Sequence, residues 1–519
     1  MSVFATKIHN CIGYRAALIV LPLWSNMSLI KKFAGQAAIY GLGSILSRIV
    51  YYLVVVVLLT YILGERTAEF GTYAFFYAYA TVLITLFSFR MDTALFRYGN
   101  KGKDLDTAFN TTLTLVLGSA ALLALLGIFL ARPIANLIGF PDQPRYVTWF
   151  AFILSFDCIN LIPFAKLRLT DKAKQFALYK IFNVVISIGF ILFFLVVLPR
   201  YEDSFLGFLP KMESTIDWVF ISNLIASALL TLALLPSMRG FKVQINKPLI
   251  SKMLVYVFPL VIVGMANGFI QFFAVPLQKA FLGNDVMENL GDAGVYDFTR
   301  RIAGLFVMFT TAFNYAAEPF FFNNSSEADR KNLYGKICRL FVLVGGIAIV
   351  GLYLGVDLVK YLADSNYWDS LYLLPILLLA YMFLGIYYNI SIWYKLSDNT
   401  KYGAYISIIG VVITLGFSIF YLPRIGYAAS AWATLITYAV MVVIGYWLGQ
   451  KKYPIHYPVI KIARDLLVII AILGVGYCVR ESQAVRVKYI VNAFLFLAYL
   501  SYVWYSEKDQ WKTVLGRSA

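Results

Sequence analysis

The chain is short of the residues on which water-soluble proteins and most enzymes depend. Only 14% of its 519 residues are Asp, Glu, Lys or Arg, and only two are histidine. A soluble domain carries about 25% charged residues. Four cysteines, Cys11, Cys158, Cys338 and Cys478, are far apart and form no paired motif. That spacing offers neither a disulfide framework nor a metal site. The two histidines, His9 and His456, are equally distant from each other. The chain also lacks any long polar connection, which excludes a separate soluble domain between its apolar runs. No nucleophile–base pair, metal-ligand cluster or phosphate-binding glycine loop is evident, so the residues point to no enzyme, cofactor or metal.

What it has in abundance is apolar: 61% of the residues are hydrophobic. A body of this size could not hide that much greasy surface from water, whereas lipid as solvent removes the difficulty. Apolar runs long enough to span the hydrocarbon recur about fourteen times. The first lies at 33–63, the second at 70–98, the seventh at 253–282, the eighth at 295–322, and the last two at 462–479 and 488–506. Each reads as a helix, because a span in lipid must satisfy its own backbone hydrogen bonds. The fold class is therefore an all-α polytopic membrane protein.

The net charge of +17 would suggest nucleic acid in a soluble protein, but here the basic residues sit in short segments between apolar runs. Membrane topology accounts for them, and no nucleic-acid partner is expected. Lys166, Arg168, Lys172 and Lys174 mark one loop as cytoplasmic, as do Arg239, Lys242, Lys247 and Lys252, while the loop 283–294 has no Lys or Arg. The bias puts both termini of a multi-pass protein in the cytoplasm. Met27-Ser-Leu-Ile-Lys-Lys32 reads as a natural start before the first span, which would make residues 1–26 an upstream extension; N-terminal sequencing of the native protein decides this.

A weak internal repeat is present. Gly71-Thr-Tyr73 is followed by Ala94 after 23 residues, and Gly294-Val-Tyr296 by Ala317 after the same interval. Six spans separate the copies, so they share an orientation. This predicts two six-helix lobes related by an axis along the membrane normal, with two C-terminal helices appended. The boundaries are a cytoplasmic segment 1–32, an N-lobe 33–252, a C-lobe 253–450, spans thirteen and fourteen at 451–506, and a tail 507–519.

Ionisable groups within spans carry the functional information, since an arginine at mid-bilayer costs at least about 2.5–3.5 kcal/mol. Arg48 lies near the middle of span one, with Ser44 and Tyr52 on roughly the same face. It calls for an aqueous cavity or an ion-pair partner. Span two carries Arg90 and Asp92. Span seven carries Asn267, Gln271 and Gln278 on one face, interrupted by Pro259 and Pro276. A bending helix lining a cavity and a helix held by interhelical hydrogen bonds both fit that pattern. Span eight carries Arg300, Thr311, Asn314 and Glu318 on one stripe, with Asp297 three residues before Arg300 and four before Arg301. A local ion pair there competes with a cavity wall. Lys279, near the outer end of span seven, is expected to snorkel. Tyr73, Tyr77 and Tyr79 could stack on sugars, though interfacial belts account for most membrane tyrosines.

Gly43-Ser-Ile-Leu-Ser-Arg48, Leu63-Gly-Glu-Arg-Thr-Ala-Glu-Phe-Gly-Thr-Tyr73, Phe89-Arg-Met-Asp-Thr-Ala-Leu-Phe-Arg97, Gly294-Val-Tyr296 and Ala316-Ala-Glu-Pro319, with the number of spans, resemble the MOP (multidrug/oligosaccharidyl-lipid/polysaccharide) exporter superfamily. Within it the likeness is to bacterial polysaccharide and lipopolysaccharide flippases. The resemblance implies two lobes that rock to alternate access in the bacterial inner membrane. It implies a monomer working among membrane lipids on an undecaprenyl-diphosphate-linked oligosaccharide. Arginine pairs phosphate bidentately, which makes Arg48, Arg90 and Arg300 the expected holders of the diphosphate. Ser44, Tyr52, Asn267, Gln271, Gln278, Thr311 and Asn314 would line the cavity. Asp92 and Glu318 would carry H⁺ or Na⁺ if transport is ion-coupled. Arg48 matches a span-one arginine position of the related lipid II flippases; their other cationic positions are not evident, so lipid II is the less expected cargo. Two rivals remain: an ion-coupled multidrug exporter of the same superfamily, and a membrane polysaccharide polymerase or ligase. The first would use deep acids for cationic drugs, and this chain has more deep arginines than acids. The second would carry a sizeable outer catalytic loop, which is lacking here.

Replacing Arg48 by alanine is expected to abolish transport while leaving the protein inserted; complementation of a transport-null strain by Arg48→Ala at normal protein level would contradict the assignment.

Overall fold

The structure, a computed structural model, describes residue 50 and residues 55–506, apart from short stretches at 100–103, 202–211, 213, 322–326, 397–398, 400 and 481–484. Among the described residues it is helical throughout, and twelve helices are long and apolar enough to cross a membrane. The protein is a multi-pass helical membrane protein. A further helix, α10 (Val286–Phe321, 36 residues), is more polar than these twelve. At 1.5 Å per residue it is about 54 Å long, ample for a crossing. Residues 55–63 are helical and form the end of the first span; the rest of that span, with Arg48, Ser44 and Tyr52, lies outside the described residues.

Span two is two helices, α1 (Thr67–Ser88) and α2 (Met91–Tyr98). There follow α3 (Asp104–Phe129), the short α4 (Ala131–Leu137), α5 (Pro144–Leu169), α6 (Ala173–Leu192) and α7 (Thr215–Leu234). Span seven is also divided, into α8 (Lys247–Phe272) and α9 (Ala274–Phe281). After α10 come α11 (Glu327–Leu354), α12 (Leu374–Ile390), α13 (Lys401–Ile425), α14 (Ala428–Lys452), α15 (Val459–Arg480) and α16 (Val485–Ser506). Several helices run past the apolar segments read from sequence, because a helix needs no apolar residue once it reaches the headgroups. Successive spans run in opposite directions. One end of the bundle therefore collects the loops with Lys172, Arg239 and Lys452 and is called here the basic end; the other is the far end.

Polar residues set the starts of the far-end helices. Ser214 caps α7 by accepting from the Ile216 amide at 3.2 Å, with Asp217 completing a capping box. The same Ser214 hydroxyl donates to Glu69 at 2.7 Å, and Glu69 pairs with Arg66 at 3.1 Å. Asp217, fully buried, also takes Arg145 from the start of α5 at 3.1 Å. Three spans are tied to one level by this network.

The two halves of the chain meet through glycine. A Cβ on Gly71 of α1 would collide with the Leu290 carbonyl and lie 3.3 Å from the Gly294 amide. A Cβ on Gly294 of α10 would collide with the Thr67 carbonyl and lie 2.9 Å from the Gly71 amide. The two glycines noticed as a repeat therefore face each other, backbone on backbone, at the far end. Small residues allow this approach where lipid supplies no hydrophobic drive between helices. Closer to the basic end α1 packs on α8, whose Gly264 and Gly268 admit the methyl groups of Thr85 and Thr81.

The last two helices are fastened to α11. The Tyr499 hydroxyl donates to the Leu343 carbonyl at 3.1 Å, over the space left by Gly346. Asp465 of α15 is fully buried and takes Arg339 of α11 at 3.1 Å, Arg464 at 2.8 Å and the Tyr502 hydroxyl at 2.5 Å. Outside the spans, burial alone would raise the Asp357 carboxyl, but the Lys488 ammonium at 2.5 Å and Lys360 at 3.2 Å hold it below the ordinary carboxylate value.

Gly294→Val is expected to force α1 and α10 apart and to cost about 1–3 kcal/mol, as overpacking does. Gly416→Ala, where a new Cβ meets nothing within 4 Å, is expected to cost nothing. Thermal unfolding in detergent distinguishes the two, and equal stability would show that the glycine contact is not a constraint.

Candidate functional site

The seam between the two halves brings together the polar residues of spans two, seven and eight. Its first feature is the break between α1 and α2. Phe89 (φ 48°, ψ 22°) and Arg90 (φ 54°, ψ 33°) are both left-handed, although neither is glycine. Two such residues in succession cost of order 1–3 kcal/mol each. The break takes the Phe87 carbonyl out of the helical ladder, and Ser119 of α3 donates to it at 2.5 Å. Ser88 accepts from the Arg90 amide at 3.3 Å. Arg90 is half-buried, and among the described residues its Nε has no hydrogen-bond acceptor. Its guanidinium is within electrostatic reach of Tyr388 on α12, across the seam. Asp92, half-buried in the first turn of α2, complements that helix's positive end.

The second feature is the charge cluster on α10. Asp297 is fully buried and takes Arg300 at 2.7 Å through Nε and at 2.5 Å through Nη2. Its other oxygen takes the Arg301 Nε. The local pairing open in the sequence is thus formed, and both arginines are only 7% exposed. Arg300 lies 5.1 Å over the Phe272 ring and Arg301 4.9 Å over Tyr73 of α1. Tyr381 of α12 is within electrostatic reach of Arg300. Two guanidiniums thus share the Asp297 carboxylate.

The third feature is the divided span seven. Pro276 has no N–H to offer the Phe272 carbonyl, and α8 ends there. Gln278, fully buried, donates to Ser430 at 2.8 Å, and among the described residues its Oε1 has no partner. Asn267 and Gln271 are half-buried beside the glycine contact with α1, and the buried Asn267 Oδ1 likewise has no partner among the described residues. Thr311 donates to the Val307 carbonyl at 2.9 Å and, with Asn314, is half-buried on α10 towards the basic end. Glu318 follows on the α10 backbone; its side chain lies outside the described residues. The structure therefore brings Arg90, Asn267, Gln271 and Arg300 to one seam, and places Gln278 in a packed contact with α14.

The tyrosines of α1 are packed rather than open. Tyr73 is 2% exposed under Arg301, the Tyr77 hydroxyl accepts from Asn223 at 2.6 Å, and Tyr79 lies 4.8 Å from the Phe273 ring.

Sequence reasoning missed the role of Lys279. Expected to snorkel, it is buried, and its ammonium donates to the Ile138 carbonyl while lying 3.5 Å from that of Gly139. The Phe140 and Phe75 rings flank it, with centroids at 4.0 and 4.7 Å. A cation from one half thus caps the carbonyl end of α4 in the other, the favourable sign for a helix C-terminus. The spacing of Lys279 gave no signal of this, because its partners are backbone atoms. The break at Phe89–Arg90 was equally silent, since no glycine or proline marks it.

Lys279→Met is expected to loosen the far end. A cysteine at Leu290, whose carbonyl packs on Gly71, should react faster with a membrane-impermeant maleimide in that background. Unchanged labelling would show that the lysine does not hold the halves together.

No family model matches the sequence, and no curated protein matches it. Solved structures do resemble it. A lipid II flippase, MurJ, in an inward closed conformation superposes with a TM-score of 0.68 at 16% identity, covering 91% of this chain and 99% of that one. A MATE multidrug transporter, DinF-BH, gives 0.59 at 15% identity over 83% and 97% of the two chains. An inward-facing MATE-family multidrug transporter of the MOP superfamily gives 0.57 at 13% identity over 84% and 97%. The chain has the fold these MOP-superfamily transporters share.

Proposed function

We propose that the protein is a flippase of the bacterial inner membrane. It would carry an undecaprenyl-diphosphate-linked oligosaccharide outward for cell-surface polysaccharide or lipopolysaccharide synthesis. Spans one to six (33–252) and seven to twelve (253–450) form two lobes that rock about the seam. Spans thirteen and fourteen (451–506) ride on the second lobe through Asp465. The basic end faces the cytoplasm with both termini, and one copy of the chain suffices.

The observation that carries this reading is the sign of the charge at the seam. Among the described residues the Arg90 Nε is a buried donor without an acceptor, and the Arg300 and Arg301 guanidiniums lie at the same seam. A positive field in a low-dielectric setting attracts a diphosphate and repels a cationic drug. Arg90 would take the headgroup first, with Arg48 from span one. Arg300, already paired with Asp297, would contribute chiefly through its field. Asn267, Gln271, Thr311 and Asn314 would wet the sugar path while the prenyl tail stays in lipid. The likeness to a lipid II flippase supports a lipid-linked cargo in kind.

A second reading, an ion-coupled multidrug exporter, draws on the MATE likeness and on Asp157, a deep acid that accepts from Ser227 at 2.9 Å. In proteoliposomes the protein is expected to flip a fluorescent lipid-linked oligosaccharide. Arg90→Gln should slow it about tenfold or more, the worth of a charge-assisted hydrogen bond. Export of a cationic dye without glycolipid flipping would favour the second reading and overturn the first.

A further inference from the structure

At the basic end the seam opens into a cleft of about 440 Å³ between α2 and α8, lined by Arg97, Tyr98, Ser251, Lys252, Val255 and Tyr256. The Arg97 guanidinium lies 4.1 Å from the centre of the Tyr256 ring, which holds its plane. The Tyr98 hydroxyl donates to the Lys252 carbonyl at 3.2 Å and joins the two helices across the cleft. Both cations are exposed, and among the described residues neither side chain has an ion pair. This cleft is apart from the Arg90 and Asp297 groups.

Two observations say what fits it. Ser251, Val255 and Phe258 form one stripe on α8, at spacings of four and three residues. Val255 is 75% exposed and Phe258 66%. Phe258 lies about 10 Å deeper along the helix than Ser251, so an apolar track descends from the cationic rim. The neighbouring segment 241–246 independently marks the depth. Its amides at Lys242 and Gln244 bond to Asn110 at 3.2 Å and Thr114 at 3.1 Å on α3, while Val243 and Ile245 stay 75% and 67% exposed. Polar side chains (Lys242, Gln244, Asn246) alternating with bare aliphatic ones belong at the boundary between headgroups and hydrocarbon.

We infer that this cleft is a binding site for an anionic phospholipid of the adjoining leaflet, its phosphate held between Arg97 and Lys252 and an acyl chain lying along Val255 and Phe258. The phosphate bridges a helix from each half of the chain, so occupancy favours the arrangement in which α2 and α8 are close. A soluble phosphate would leave the apolar track unused, and a zwitterionic lipid would bring its own cation against Arg97 and Lys252. Basic clefts between spans at the headgroup level are suited to such lipids.

The test uses the full-length protein, delipidated in nonionic detergent and titrated with defined lipids, reading retained lipid by native mass spectrometry and stability by thermal unfolding. Dioleoylphosphatidylglycerol is expected to be retained and to raise the melting temperature; dioleoylphosphatidylcholine is not. Arg97→Gln with Lys252→Gln should weaken retention roughly tenfold to thirtyfold, each charge counting separately. Lys174→Gln with Lys451→Gln, exposed cations elsewhere at the same end, should leave it unchanged. Phe258→Ser should weaken retention of the dioleoyl lipid but not of its dihexanoyl analogue. Equal retention by the Arg97/Lys252 variant would overturn the site. Inorganic phosphate stabilising the protein as well as the lipid does would overturn the lipid as its occupant.

Discussion

The architecture rests on one contact, the meeting of Gly71 and Gly294. With no side chain on either residue, α1 and α10 approach until the amide of one glycine lies under the other's Cα. In lipid two apolar helices gain little by merely touching, so association depends on how closely backbones pack. Around this point the far end is knitted solid. Tyr367 packs its ring edgewise on Phe70 at 5.5 Å, and Lys279 reaches from one half to the carbonyls of the other. These contacts tie the two halves of the chain together at the far end.

Charge is handled by two different devices. At Asp297 two guanidiniums share a carboxylate and are sheltered by aromatic faces. A pair of this kind is costly to break and modest in net stability. At Lys279 the partner is not an acid but the carbonyl end of a short helix between two phenyl rings. Carbonyls and rings offer no full countercharge, so this cation is held less tightly than a salt bridge would hold it. Arg90 stands apart from both, half-buried, its Nε without an acceptor among the described residues.

Backbone irregularity follows the same map. In a membrane, non-helical backbone survives only where protein or a watery cavity covers it. The break at Phe89–Arg90 is covered by Ser119 on one side and faces α12 on the other. The break at Phe273 is covered by Tyr79. Both fall on helices that border the seam, so bending at either would alter the space between the halves.

The amino-acid sequence by itself determined the all-helical, multi-pass membrane class, because lipid imposes a penalty on every polar residue wherever it stands. Most boundaries came within a few residues for that reason. It also contained the Asp297 pairing, which three- and four-residue spacing on a helix makes local. The side chains of Arg48, Ser44, Tyr52 and Glu318 fall outside the described residues, so what the sequence says of them stands alone. Only the tertiary structure decided that Gly71 faces Gly294, that Lys279 caps a helix 141 residues away, and that Arg90 stands at a left-handed break. These depend on surfaces meeting across the bundle and on backbone atoms that every residue possesses, and no local pattern of side chains encodes such a meeting.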